Sequence, residues 1–176
     1  MVDPRAAFQH QRLLSLRSIR ILFLHPARGF TDPLVVVLHE VSLDDPQLSY
    51  ETLSYVWGSP TGSRPIICDG KPLLVTPNCE SALRHLRKDS RHKILWVDAI
   101  CIDQAAGEVS VSERNIQVAL MGEVYQKAAS TICWLGEGTE FTASVFSRLA
   151  RIGEVRSKRE LRKLIKFNRK PQSGSG

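Results

Sequence analysis

The sequence predicts an α/β fold, in which a partly parallel sheet is flanked by helices and carries an N-terminal antiparallel pair and an edge β-hairpin. The first observation is the apolar run ILWV at 94–97, which stops directly at Asp98 and is typical of a strand buried on both faces. The second is the order strand, helix, strand over 94–97, 113–128 and 131–135. Short loops join these segments, so they predict a βαβ unit with two parallel strands.

Two apolar runs near the N-terminus predict the antiparallel pair. They are IRILFL at 19–24 and LVVVLHEV at 34–41, and Pro26, Gly29 and Pro33 lie between them. Proline and glycine favour a loop at this point, so the two strands are expected to turn back on each other.

The next strands carry the hairpin signal. Residues 50–58 alternate apolar and polar side chains with the period of a half-buried strand. Residues 64–75 form two runs joined at Asp69-Gly70, a dipeptide that favours a tight hairpin turn. Pro65 and Pro72 cannot donate to a strand ladder, so the hairpin is expected at the edge of the sheet.

Two helices are expected between these strands. Thr76 is a suitable N-cap for a helix over 77–88, with proline at its first position. Ser110 and Glu113 have the spacing of a capping box, which predicts that the second helix begins near Glu113 and runs to residue 128.

Composition and charge predict one domain with a basic appendage. We divide the 176 residues into an N-terminal arm (1–18), a domain (19–152) that is shortened at its C-terminus, and a basic amphipathic tail (153–176). The formal net charge is +6, yet 151–176 alone hold nine Lys or Arg against two Glu, so the remaining residues are nearly neutral. Nucleic-acid binding is therefore disfavoured, and the tail is expected to dock on its own domain or to touch an anionic membrane.

The chain is expected to be cytoplasmic and to hold no metal. It has no apolar run near the roughly 20 residues that span a bilayer, and it begins without the apolar segment of a secretory signal. The four cysteines have no zinc-site spacing and are expected to be free thiols.

Polar side chains gather where the predicted central strand ends. The ligand-binding candidates are Asp98, Cys101 and Asp103 after that strand, together with Ser54, Tyr55 and Trp57 on a strand expected beside it. Glu113 is the catalytic candidate, because a carboxylate near an aromatic wall could bind a sugar or nucleotide and stabilise an oxocarbenium-like state. Three alternatives stay open. The carboxylates only cap loops or a helix, Trp57 belongs to the core, or Cys101 is a packing residue.

Five ordered motifs resemble the heterokaryon incompatibility domain of filamentous fungi: YETLSYVWG, IICDGKPLLVTPN with SALRHLR, LWVDAICIDQ, ERNIQVALMGEVYQKA and ICWLG. The resemblance implies a role in non-self recognition after hyphal fusion, where such domains trigger growth arrest or cell death. It also implies a distant similarity to Toll/interleukin-receptor domains, some of which cleave NAD at the nicotinamide glycosidic bond with a glutamate on a later helix.

The sequence departs from the family pattern in two places. Asp103 stands where the family usually has Asn, and neither a Trp after Trp134 nor a Gln-Glu pair is present. The resemblance therefore implies a signalling module that acts by protein association, either with itself or with a full-length relative. The alternative is an NAD hydrolase that uses Glu113, with NAD as substrate and no further cofactor; without the Gln-Glu pair, we expect no hydrolase activity of the chain's own.

Overall fold

The computed structural model describes residues 7–58 and 62–138. The elements, in chain order, are β1 Ser18–Leu24, β2 Val35–Ser42, β3 Glu51–Tyr55, β4 Arg64–Cys68, β5 Lys71–Val75, α1 Pro77–Leu86, β6 Lys93–Trp96, α2 Asp98–Cys101, α3 Glu108–Lys127 and β7 Ser130–Trp134. The chain up to Trp134 belongs to one compact unit, and Leu135 opens a second. The apolar side chains of residues 140–152 predict a further helix, and this segment and the basic tail at 153–176 lie outside the described residues.

One mixed sheet of seven strands, in the order β5-β4-β2-β1-β6-β3-β7, confirms the α/β class. β1 and β2 pair antiparallel, as predicted. The β4–β5 hairpin lies at one edge of the sheet, and its turn residues Asp69 and Gly70 both have positive φ, at 48° and 76°. The similarity to Toll/interleukin-receptor domains stays a prediction.

The predicted parallel strands are β6 and β7, and α3 connects them in sequence. β3 lies between them and pairs parallel with both, so three strands end at the same edge of the sheet. β3 carries Tyr55 at its end, and Trp57 follows two residues later. The sequence placed these residues beside the central strand, and the register agrees.

The capping box predicted at Ser110 and Glu113 is wrong. α3 begins at Glu108 after Gly107, which makes no side-chain capping bond, so both residues lie inside the helix. The physical reason is that each side chain has another partner. Ser110 bonds the carboxylate of Asp103, and Glu113 forms an ion pair with Arg20.

The hydrophobic core lies along the central strands and under both longer helices. Leu22 and Leu24 of β1, Leu95 and Trp96 of β6, and Leu53 of β3 are fully buried. α1 buries Cys79, Ala82, Leu83 and Leu86. α3 buries Gln117, Leu120 and Val124, and Gln117 is tied to β1 because its amide donates to the Ser18 carbonyl at 2.9 Å.

Candidate functional site

Two tryptophans, one aspartate and one asparagine lie together at the carboxyl ends of β3, β6 and β7. We call Trp57, Asn78, Asp98 and Trp134 the carboxyl-edge cluster. Trp57 Nε1 donates to the Asp98 carboxylate, at 3.1 Å from Oδ2 and 3.3 Å from Oδ1. A crevice outside the carboxyl ends of parallel strands is the usual ligand site of open α/β folds.

Asp98 is half-buried at the first position of α2. Its Oδ1 also accepts the backbone N–H of Ala99 at 2.7 Å. Burial raises the pKa of the Asp98 carboxyl, while the hydrogen bonds from Ala99 and Trp57 act against that shift. A half-buried carboxyl group with a raised pKa can exchange a proton or accept hydrogen bonds from a ligand.

Asn78 is a residue that the sequence reasoning missed. Its Oδ1 accepts from Trp134 Nε1 at 2.9 Å, and its Nδ2 donates to the Val56 carbonyl at 2.6 Å. Asn78 is positioned by α1, whose N-cap Thr76 accepts from the Cys79 N–H at 3.2 Å. Two sequence signals could have found it: Asn78 is the last residue of the motif IICDGKPLLVTPN, and it lies in the first turn of a capped helix, from which a short amide can reach out of the helix.

Tyr55, Ser54 and Cys101 contribute less to an open site. Burial raises the pKa of the Tyr55 hydroxyl, and it raises the pKa of the neighbouring Cys79 thiol to about 12. Ser54 is half-buried on β3 opposite Cys133. Cys101 is fully buried, its Sγ accepts the Val97 N–H at 3.4 Å, and burial raises its pKa to about 12. A thiol in this state packs and does not act as a nucleophile.

Glu113 lies in a second group, made with His10, Arg20 and Asp103, which we call the buried charge cluster. Arg20 is 5% exposed and forms an ion pair with Glu113, in which Nη2 donates to Oε2 at 3.0 Å. Nη1 lies 2.7 Å from Oε1, but that oxygen is buried and accepts no hydrogen bond from the described residues. The other donor contacts of Arg20 go to the carbonyls of Cys101 and Gln11. The structure therefore brings Asp98 to Trp57, and it places Glu113 and Asp103 with Arg20 and His10 instead.

A groove of about 370 Å³ lies between the N-terminal arm and α3. Residues 12–16 of the arm form one wall, and Glu108, Val109, Ser112 and Ile116 are among the α3 residues of the other. Leu14, Leu16 and Val109 at this groove are 92%, 70% and 61% exposed. We call this feature the arm–α3 groove.

Comparison with known proteins decides the family. A family model described as Heterokaryon incompatibility protein (HET) matches residues 50–173. Heterokaryon incompatibility protein 6, OR allele, from Neurospora crassa is 36% identical over an alignment of 149 positions that covers 77% of this chain. The chain belongs to the heterokaryon incompatibility protein family. It spans 21% of the length of that relative, and no solved structure matches it.

The carboxyl-edge cluster and α3 both lie within the stretch that matches the heterokaryon incompatibility family. The arm, His10 and Arg20 precede that stretch. The arm–α3 groove therefore joins one wall from the matched stretch to one wall from the residues before it.

Two negative findings apply to the part of the chain that the structure describes. Within residues 7–58 and 62–138, no helix has the length and apolar character needed to cross a membrane. Among the same residues, His, Cys, Asp and Glu nowhere form a group of three or more that could hold a metal ion.

Proposed function

We propose that this chain is a signalling module of fungal non-self recognition, acting in the cytoplasm, and that it works by associating with a second copy of itself through the arm–α3 groove. The observation that carries this proposal is the set of three large apolar side chains exposed at one groove: Leu14, Leu16 and Val109. Contiguous exposed apolar groups rimmed by polar residues are characteristic of protein interaction sites.

The charges at the groove support a second copy as the occupant. Arg12 lies on the arm and Glu108 lies on α3, and both are exposed. A two-fold symmetric interface uses the same patch twice, so an arrangement in which Arg12 of one copy meets Glu108 of the other forms this pair at two places. The walls of the groove thus have the charge complementarity that self-association requires.

We infer from the family alone that association leads to heterokaryon incompatibility and cell death. The relative from Neurospora crassa is named for heterokaryon incompatibility, and it is far longer than this chain. We propose that association of this module passes a signal to such a longer family member, in which the output resides.

Light scattering coupled to size exclusion tests the association. We expect the wild-type chain to form dimers at micromolar concentration, and we expect Leu14→Ser with Leu16→Ser to shift it towards monomer. Leu74→Ser is the matched control, because Leu74 is 59% exposed on β5 and does not line the groove. A wild-type chain that stays monomeric at every concentration tested would reject self-association, and binding of the double variant to a full-length relative would point to a different occupant.

A second candidate function is the binding of NAD at the carboxyl-edge cluster. The half-buried Asp98 beside the exposed indole of Trp57 supports it, since an aromatic face and a carboxylate suit a nucleotide or its ribose. Cleavage by Glu113 has less support, because its carboxylate forms an ion pair with Arg20 and lies outside the carboxyl-edge cluster. Incubation with NAD should release no nicotinamide. Release that disappears in Glu113→Gln, while the variant keeps the circular dichroism spectrum of the folded wild type, would instead favour the hydrolase.

A further inference from the structure

The described part of the N-terminal arm, residues 7–17, is attached to the domain by polar contacts and by Phe8, which packs against the hydrophobic core. It contains neither helix nor strand, and two of its leucines, Leu14 and Leu16, face solvent. Its backbone N–H groups donate to the Pro72 carbonyl, to Glu113 Oε2 and to Glu40 Oε1, at 2.9, 3.2 and 2.8 Å. The Gln11 carbonyl accepts from Arg20 at 2.5 Å. Water can replace these polar contacts, and the arm has no helix or strand of its own to lose, so it is suited to detach without unfolding the sheet.

His10 is the most deeply buried anchor of the arm, with a side chain only 9% exposed. Its Nε2 lies 2.7 Å from the Ile100 carbonyl, which can only accept, so Nε2 carries a proton. The ring packs edge-on against Phe8 with centroids 5.0 Å apart. In the neutral form His10 is therefore satisfied at Nε2 and has Nδ1 free of a proton.

The charged groups around His10 come from three elements. Arg20 of β1 repels a positive imidazolium, whereas Asp103 of the loop after α2 and Glu113 of α3 attract it. Asp103 Oδ1 is 3.5 Å from Nδ1, too long for a strong bond, and it already accepts the Ala105 N–H at 2.9 Å. The charge of Glu113 is compensated by Arg20. Removal of His10 from water is the largest effect, and it lowers the pKa of the imidazole.

We propose that the N-terminal arm is a pH-sensitive latch, which is closed while His10 is neutral and opens when His10 is protonated. The docked arm holds fewer protons on His10 than the free arm, whose imidazole titrates near pH 6.5. Docking is therefore strongest above that pH and weakens as the pH falls.

Opening of the latch removes one wall of the arm–α3 groove, because residues 12–16 of the arm form that wall. Control of self-association by the latch rests on the function proposed above. The latch itself does not, since it depends only on the contacts of the arm.

Amide hydrogen exchange of the full chain, corrected for the intrinsic rate at each pH, tests the latch. Between pH 7.5 and 5.5 we expect protection in residues 8–16 to fall by up to about tenfold per pH unit below 6.5, while β1 and β6 keep theirs. His10→Gln can still donate to the Ile100 carbonyl and cannot be charged, so its arm should lose the pH dependence. His39→Gln is the control, since His39 is exposed on β2 and should leave the pH dependence intact.

The latch is overturned if arm protection is constant or rises towards acid pH, or if it falls equally in His10→Gln. Light scattering of the same samples separates the two proposals. If the arm opens at acid pH while the oligomeric state stays unchanged, the latch is supported and its control of association is rejected. If the arm stays closed at acid pH and the chain dimerises through Leu14 and Leu16, the latch is rejected and self-association is supported.

Discussion

Arg20 connects more of this molecule than any other charged side chain discussed above. Four contacts lead from its guanidinium to the arm, to α2 and to α3. Arg20 is the one polar residue inside the run IRILFL, but its partner Glu113 is 93 positions away, so the sequence could not predict this pairing. The contact between Asp98 and Trp57 was easier to anticipate, since both residues follow the ends of strands that are expected to be neighbours.

Removal of Arg20 should destabilise the fold strongly. Arg20→Met leaves the Glu113 carboxylate buried without its cationic partner, and breaking a buried ion pair in this way costs about 3–5 kcal/mol of unfolding free energy. Urea denaturation followed by circular dichroism measures the loss. The double variant Arg20→Met with Glu113→Leu should lose less, because no buried charge remains.

Arg17→Met is the matched control for that experiment. Arg17 pairs with Asp44 and Glu123 at the surface, with a side chain 42% exposed, so its removal should cost much less than that of Arg20. Equal losses for Arg17→Met and Arg20→Met would show that burial of the Arg20 pair has no special weight.

At the scale of elements, the sequence predicted correctly the turns and helix caps that depend on a few adjacent residues. The Asp69-Gly70 turn and the Thr76 cap both occur where the sequence placed them, because each depends on a few adjacent residues. The insertion of β3 between β6 and β7 depends on pairing between distant segments, so the order of strands along the chain could not predict it. The start of α3 was missed for a related reason, since the partners of Ser110 and Glu113 lie outside the helix.

Two glycines test the backbone argument with opposite signs. Gly70 has φ of +76°, which an L side chain rarely adopts, so Gly70→Ala should destabilise the chain by about 1 kcal/mol. Gly122 lies on the exposed face of α3, with open space where an added Cβ would be. Gly122→Ala should therefore stabilise the chain by about 0.5–1 kcal/mol. Thermal unfolding measures both, and a stabilising Gly70→Ala would contradict the turn geometry.

At the scale of the whole molecule, we assign a different role to each of the two clusters and to the groove. The carboxyl-edge cluster is the candidate for a small ligand, the buried charge cluster fixes the arm, and the arm–α3 groove offers the surface for a second copy. The sequence predicted Asp98 and Trp57 of the first cluster through the ends of their strands, but it did not single out Asn78 or Trp134. It could not predict the groove, because the exposure of Leu14 and Leu16 follows from how the arm lies against α3. The predicted domain limit at residue 152 and the basic tail stay predictions.

Charge reversal across the groove tests self-association most directly. Arg12→Glu places two like-charged pairs in the symmetric interface, and so does Glu108→Arg, so each variant alone should sediment as a monomer at a concentration where the wild type is a dimer. An equimolar mixture of the two variants restores an opposite-charge pair at both positions and should sediment as a dimer. If each variant alone dimerises like the wild type, or if the mixture stays monomeric, the two copies do not meet through this groove.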